Sequence, residues 1–382
     1  MRVAQLIETL GAGGAEGLAV QIANSWADRG HEAHLIVIAE AGPFRAKLSP
    51  DVHFHELGLP VSKRSILVRL PAVLRALWKL QRLIGTHRIE AMQTHLPLAN
   101  FFGLATAWWG SCRIYPTVHN NREFDYGDAS GPVRENLRRF AYKRMLIRCR
   151  RMIAVSDRVK GAMARELDLP ATWLDRIAVV PNGVSLPPAM SPADRTAARA
   201  DWSVDDDEVL IVGVGRLTRQ KNFGDLVQAL AKLEGSADRW RCLIAGEGEM
   251  RGEWEAQVAS AGLGGRVAFV GHVADIGRML GAADIFCLPS LYEGLPLVLL
   301  EAMAAGLPVA AFRIDGVTEV VEHDKQALLA DPGSTDLLSR ALGRLVSDPY
   351  LRRKLGDAGR HIVAEDYGFE RVADLLEEVC AS

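Results

Sequence analysis

Two carboxylates and two cations set the chemistry this chain can do. Residues 288–309 read L-P-S-L-Y-E-G-L-P-L-V-L-L-E-A-M-A-A-G-L-P-V. An apolar, strand-like run over 283–288 ends in a loop carrying Pro289 and Gly294, and a helix is expected from about Pro296. Proline suits the first helical position, because its missing N–H would have no intrahelical acceptor there. Gly306 and Pro308 then end the helix. The helix body is almost wholly apolar and is expected to be buried, yet Glu301 stands in its middle and Glu293 just ahead of its start. A buried carboxylate is costly unless something hydrogen-bonds it. A helix start, in contrast, offers unpaired N–H groups and a partial positive charge that can seat phosphate. The stretch therefore reads as a seat for a nucleotide diphosphate, with a carboxylate for hydroxyls on either side. Arg216 and Lys221 follow an apolar strand over 209–214. The planar fork of arginine and the compact charge of lysine both suit phosphate. Each residue also has a plain reading: Glu293 against the helix dipole, Glu301 as a paired helix residue, Arg216 and Lys221 as surface ion pairs.

Other groups could do chemistry and are weighed the same way. His119 follows a strand over 114–118 and His95 one over 91–94. A lone histidine after a strand is more often structural. Asp205 and Asp207 have the Asp-x-Asp spacing that holds a metal in some transferases, but in a polar run ahead of a strand they read as a solvated turn. Asn182-Gly183 is a turn by its own chemistry. The loop Gly11-Ala-Gly13-Gly14-Ala-Glu16 between a strand and a helix, with Glu40 after the next strand, invites a dinucleotide reading. It lacks the third glycine, so ordinary turn chemistry, or a close backbone approach to an anionic ligand, explains it as well. The five cysteines, 112, 149, 242, 287 and 380, show no paired or metal-type spacing, which fits a reducing compartment.

Two α/β series must position these groups. At 382 residues two domains are expected, a first over about 1–185 and a second over about 186–365, joined by a proline-bearing linker over 187–192. A last helix over 369–379, after a break at Tyr367-Gly368, is expected to cross back to the first domain as part of a segment from about 366 to 382. The N-terminus enters a strand pattern at once, so no signal peptide is expected. The longest apolar run, 96–109, is too short to span a membrane. Net charge is −2, but residues 1–190 hold 25 Lys and Arg against 16 Asp and Glu, a net of +9, and the remainder is −11. Residues 63–88 carry seven basic residues and no acid, and residues 132–151 carry eight against Glu135 alone. These segments read as solvated faces of basic helices or as a surface that rests on anionic lipid headgroups. Nucleic acid is a weaker reading, since no recognised nucleic-acid module accompanies the charge.

Taken in order, the motifs resemble those of glycosyltransferase family 4, the retaining sugar transferases of GT-B architecture. They are Gly13-Gly-Ala-Glu16, Thr117-Val-His-Asn120 and Val180-Pro-Asn-Gly-Val184 in the first half. The second half has Gly213-Val-Gly-Arg-Leu217 with Lys221-Asn222, Ala245-Gly-Glu-Gly248, Phe269-Val-Gly271, and Ser290-x-x-Glu-Gly-Leu-Pro296 with Glu301-Ala-Met-Ala-x-Gly-x-Pro308. The resemblance implies an α/β fold of two doubly wound, Rossmann-like domains facing across a cleft, the first for the acceptor and the second for the nucleotide sugar. It implies that Arg216 and Lys221 grip the donor diphosphate with the N–H groups of Gly294 and Leu295. It places Glu301 on the ribose, Glu293 on the donor sugar, and Gly271 and Val273 along the base. It places His119 beside the reacting face, Gly13 and Gly14 at the diphosphate, and Asn182 at a donor contact. No metal cofactor is implied. The leaving charge falls to the helix start, one arginine and one lysine, the electrostatic mode of catalysis. Resemblance also implies retention of configuration, a UDP-sugar donor and a lipid-linked saccharide acceptor, with the enzyme cytoplasmic and peripheral at the inner face of a bacterial membrane during polysaccharide assembly. With no clear nucleophile in the sequence, front-face transfer is the default. A sugar-nucleotide epimerase of similar fold and a non-catalytic nucleotide-sugar-binding protein remain as alternatives. Two departures touch the sugar side: Asp315-Gly-Val-Thr-Glu319 stands where many members have Gly-Gly-x-Pro-Glu, and Ala327 stands at a frequent glycine.

Overall fold

The computed structural model describes residues 1–11, 13–60, 66–108, 110, 112–120, 131–233 and 239–381. Of the basic segments, Lys63 and Arg64 and the side chains of Leu67, Arg69 and Arg134 lie outside the described residues, as does Trp109 of the apolar run. The chain divides into two compact units, residues 1–182 with 372–382, and residues 183–371.

The first unit runs β1 (Arg2–Ile7), α1 (Gly14–Asp28), β2 (Glu32–Val37), β3 (His53–Glu56), α2 (Ile66–His87), β4 (Ala91–His95), α3 (Leu96–Thr106), β5 (Arg113–Val118), α4 (Gly131–Arg148), β6 (Met152–Ala154), α5 (Asp157–Glu166) and β7 (Ile177–Val179). Its seven strands lie in the order β3-β2-β1-β4-β5-β6-β7. The second unit runs α6 (Pro192–Ala200), β8 (Val209–Val214), α7 (Phe223–Ala231), β9 (Trp240–Ala245), α8 (Arg251–Ser260), β10 (Val267–Gly271), α9 (Ile276–Ala282), β11 (Ile285–Leu288), α10 (Leu297–Ala304), β12 (Val309–Phe312), α11 (Asp315–Thr318), β13 (Ala327–Ala330), α12 (Thr335–Ser347) and α13 (Pro349–Asp366). Its six strands lie in the order β10-β9-β8-β11-β12-β13. Every pairing between these strands is parallel. Parallel strands buried on both faces read as continuous apolar runs, which is why Val209-Leu-Ile-Val-Gly-Val214 and Val309-Ala-Ala-Phe312 form central strands.

In each unit the strand order reverses once, between β1 and β4 and between β8 and β11. Ligands of open α/β sheets bind outside the carboxyl ends of the strands at that reversal. Glu8, Gly11, Gly13, Gly14, His95 and His119 lie at or beyond the carboxyl ends of β1, β4 and β5. The 215–221 and 289–296 loops follow β8 and β11. The topology alone thus gathers most candidate groups of each unit at the carboxyl ends of its strands.

The structure corrects several expectations. The expected linker runs into a helix at its end: Ser191 caps α6, its hydroxyl accepting from the Asp194 amide, and Pro192 takes the first helical position. This is the start signal that serine followed by proline gives. From α6 the fully buried Arg199 reaches the Ala282 carbonyl at 3.1 Å, Asp284 at 3.1 Å and the Asp205 carbonyl at 2.7 Å. Asp205 and Asp207 each pair with Arg239 at 2.6 Å. The short elements β3, α11 and β13 carry no sequence signal long enough to announce them. Finally, Glu301 is exposed, although the helix around it is otherwise largely buried. It is not the desolvated carboxylate its apolar neighbours suggested.

The last helix, α14 (Phe369–Ala381), belongs to the first unit from Val372 onward. Val372, Ala373, Leu376 and Cys380 are buried, Arg29 meets Asp374 at 2.5 Å, and the Tyr115 hydroxyl donates to the Cys380 carbonyl at 3.1 Å.

Candidate active site

In the second unit the site is built from the loops after β8, β9, β11 and β12. Lys221 donates to Glu293 Oε1 at 2.6 Å, and both side chains are largely out of solvent. Glu293 thus lies buried ahead of α10 and in contact with one of the two expected phosphate cations. Beside it, the Gln220 amide donates to the Tyr292 carbonyl at 3.0 Å, and the Leu291 amide donates to the Gln220 carbonyl at 2.9 Å. These bonds latch the lysine loop to the glutamate loop. Gln220 went unrecognised in the sequence, where it is only a polar neighbour of Lys221. Gly294, Leu295 and Pro296 are buried, and α10 begins at Leu297 with no side-chain cap and no acid in its first turn. Its first amides point along the axis without intrahelical acceptors.

Close backbone packing fixes these loops. Gly246 has φ +140°, and a Cβ there would overlap the Gly215 carbonyl oxygen. Gly316, in α11, would place a Cβ 2.7 Å from the carbonyl oxygens of Glu293 and Gly294. The departure Asp315–Glu319 therefore still packs a glycine directly under the glutamate loop. Along the base side, Gly271 has φ +73°, and Arg251 ties the Phe269 carbonyl at 2.9 Å to Glu247 at 2.7 Å. Val273 is half-buried just beyond, while Arg216 and Glu301 are exposed. Ser290 Oγ is fully buried with no hydrogen-bond partner among the described residues. A buried hydroxyl in that state is costly and invites a ligand.

In the first unit, a polar line runs beneath His119. Gln93 donates to Thr117 Oγ1 at 2.9 Å, and Gln5 donates to Gln93 Oε1 at 3.1 Å. Gln5 Oε1 lies 2.5 Å from His95 Nε2, and His95 Nδ1 lies 3.0 Å from His119 Nε2. With the amides as placed, His95 Nε2 must donate, so its Nδ1 accepts from His119 Nε2–H. His95 is fully buried. It is a support for His119 rather than a surface group. Burial holds the His119 ring down to about 4. His95 is held well below its ordinary value by burial first and by its histidine neighbour second. Leu96, immediately after His95, has φ +71°, a left-handed conformation that strains a branched residue and recurs at functional sites. Gly13 is the N-cap of α1 and Gly14 its first residue, with the Glu16 carboxylate folded back over Gly13. Asn182 is buried after β7, at the end of the first unit.

These two parallel sheets, each with its candidate loops at the point of reversal, have the architecture of the GT-B fold. The glycosyltransferase family 4 model matches residues 12–186 and the model for glycosyl transferases group 1 matches residues 194–362, so the chain belongs to glycosyltransferase family 4. It is 27% identical to the N-acetyl-alpha-D-glucosaminyl L-malate synthase of Bacillus anthracis over 96% of this chain and 93% of that one. It is 32% identical to the lipopolysaccharide core biosynthesis glycosyltransferase LpsD of Rhizobium meliloti over 56% of this chain and 59% of that one. In fold it matches the crystal structure of Anabaena HepE in complex with UDP and glucose, with a TM-score of 0.85 at 20% identity over 100% of both chains.

Proposed function

We propose that this enzyme moves a sugar from a UDP-sugar to a hydroxyl of a lipid-linked saccharide, with retention of configuration, in bacterial cell-surface polysaccharide assembly. The observation that carries the donor half is the Lys221–Glu293 pair set ahead of the uncapped start of α10, at the reversal point of the second sheet. In this reading the first amides of α10, with those of Gly294 and Leu295, take the diphosphate together with Arg216 and Lys221. Lysine has three donors, so Lys221 can hold Glu293 and a phosphate oxygen at once. Glu293 takes hydroxyls of the donor sugar, Glu301 the ribose, and Gly271 and Val273 border the base. His119 serves the reacting face, Asn182 and Gly13–Gly14 add donor contacts, and the first unit supplies the acceptor surface. UDP as the nucleotide is supported by its presence in the HepE complex, and a glycan acceptor by the LpsD relative.

The bond between C1 of the sugar and the phosphate oxygen breaks, and the acceptor oxygen bonds C1 on the same face. The acceptor proton passes to the leaving diphosphate. No metal is needed in this scheme, because the helix start and the two cations meet the developing charge. Binding of UDP by calorimetry and transfer from a UDP-sugar test the assignment. Arg216→Ala and Lys221→Ala should each weaken UDP binding and cut transfer by about a hundredfold, the scale of one well-placed charge donor. Survival of both activities in both variants would sink the site. A chelator should leave transfer unchanged; loss restored by Mg²⁺ or Mn²⁺ would overturn the metal-free scheme.

A further inference from the structure

Four histidines gather at the edge of the first sheet, away from the carboxyl ends of its central strands. The period of two along a strand puts Glu32 and His34 on one face of β2 and His53 and His55 on one face of β3, and the parallel register sets His34 beside His53. His87, the last residue of α2, closes the group. Its ring centroid lies 4.9 Å from that of His34 and 5.0 Å from that of His55. His34 also stacks on His53 at 5.0 Å. His34 is fully buried. Its Nδ1 sits 3.1 Å from His55 Nε2, while its Nε2 is buried without a hydrogen-bond partner and lies 3.5 Å from Glu32 Oε1. Glu32, His34 and His87 each offer a ligand atom, and these atoms lie within 4.8 Å of one another. Nothing in the glycosyltransferase chemistry uses these residues.

We propose that Glu32, His34 and His87 form a binding site for a divalent transition-metal ion of the zinc class. The donor set, two imidazoles and a carboxylate with no thiolate, suits zinc and its neighbours rather than magnesium or calcium. Ligand atoms on a tetrahedral zinc, with bonds of about 2.0–2.1 Å, stand about 3.4 Å apart. The Glu32–His34 spacing already matches that at 3.5 Å. Exposed Glu32 and half-buried His87 have the freedom to close the remainder. His34 would ligate through the partnerless Nε2 while its Nδ1–H donates to His55, the arrangement in which an outer partner fixes the tautomer and orientation of a ligating histidine. A cation there also faces the C-terminal end of α2, where helix carbonyls favour positive charge. The bound ion would pin β2, β3 and the end of α2 together.

The test uses the full chain without an affinity tag, stripped with a chelator and then titrated with Zn²⁺ by calorimetry and with Co²⁺ by its visible spectrum. The expected result is one saturable equivalent, the absorption of four-coordinate Co²⁺, and a rise in Tm on adding Zn²⁺. Glu32→Gln and His87→Gln, both at positions that keep some exposure, should each weaken Zn²⁺ binding at least about tenfold and abolish the rise in Tm. His361→Gln, in the second unit, should change neither. UDP binding should be the same with and without Zn²⁺, which separates this site from the donor site. Absence of saturable binding, or full binding in both Glu32→Gln and His87→Gln, overturns the proposal.

Discussion

Lys221 and Glu293 stand 72 positions apart in sequence and 2.6 Å apart in space. Residue types suggested a phosphate cation and a hydroxyl-holding carboxylate, the family resemblance implied their separate places on a donor, and no local pattern could have paired them. The pairing makes a specific test available. Glu293→Gln keeps the side-chain shape and releases Lys221 from its partner. If Glu293 serves the sugar, UDP affinity should hold within about threefold while transfer falls by more than about tenfold, the signature of an interaction made on the way to the transition state. Parallel loss of UDP binding would show that Glu293 acts by ordering Lys221. The histidines predict a pH effect. His119 and His95 have folded-state values below the ordinary 6.5, so between about pH 6.5 and 4 the unfolded chain binds more protons than the folded one. Their contribution is fully present above pH 6.5 and is lost as pH falls through that window, by at most about 1.4 kcal/mol per pH unit for each group. His34 and His55 act with the same sign. Denaturant unfolding at a series of pH values should therefore show stability falling below pH 6.5, with a shallower fall in His95→Gln.

At the scale of elements, α2 and α4 show what a sequence pattern can and cannot say. Their basic, apolar-interleaved composition was legible, but which apolar residues faced the core was not. Ala76, Leu80 and Ile84 are buried, while Leu70, Leu74 and Trp78 form an exposed row at intervals of four. On α4, Met145 and Leu146 are buried, while Leu137, Phe140 and Ile147 are exposed. Both helices contact α3, and the exposed Trp108 just beyond α3 lies under the Arg148 guanidinium at 4.5 Å. Arg144 sits over Phe140 at 4.9 Å. The peripheral contact with anionic headgroups that the sequence led us to expect would use these apolar side chains and their basic neighbours. The chain should therefore sediment with vesicles containing anionic lipid at low salt and release as salt rises, and Leu74→Ser with Trp78→Ser should reduce that binding at all salt concentrations. Equal binding to neutral vesicles would remove the electrostatic part. Among the described residues no helix is long and apolar enough to cross a membrane. The same limit on local reading explains α6 and β3. Prolines at 187, 188 and 192 suggested a linker although Ser191-Pro192 starts a helix, and His53-Phe-His-Glu56 has none of the apolar run that marks a buried strand.

For the molecule as a whole, the alternation of strand and helix and the order of motifs made the two-unit α/β architecture readable, because parallel sheets need continuous apolar strands and regular crossovers. The loops were readable only as motifs, since their positions depend on backbone contacts such as Gly316 against Glu293. Removing residues 372–382 should expose the surface that covers Val372, Ala373, Leu376 and Cys380, and should strip Tyr115 and Arg29 of partners. A loss on the order of 5 kcal/mol follows from burial of those side chains. Hydrogen exchange should then show protection falling in β1, β2 and β5 while β8, β9 and β11 keep theirs. That division of labour along the chain also sets an order of manufacture. The first unit begins to emerge from the ribosome first but needs the last helix to be whole, so its strands wait through the synthesis of residues 183–371, roughly 10–40 s at about 5–20 residues per second. The second unit, begun later, is complete earlier. During that interval the face that α14 will cover is open, which makes the nascent first unit, rather than the finished enzyme, the form most in need of a chaperone.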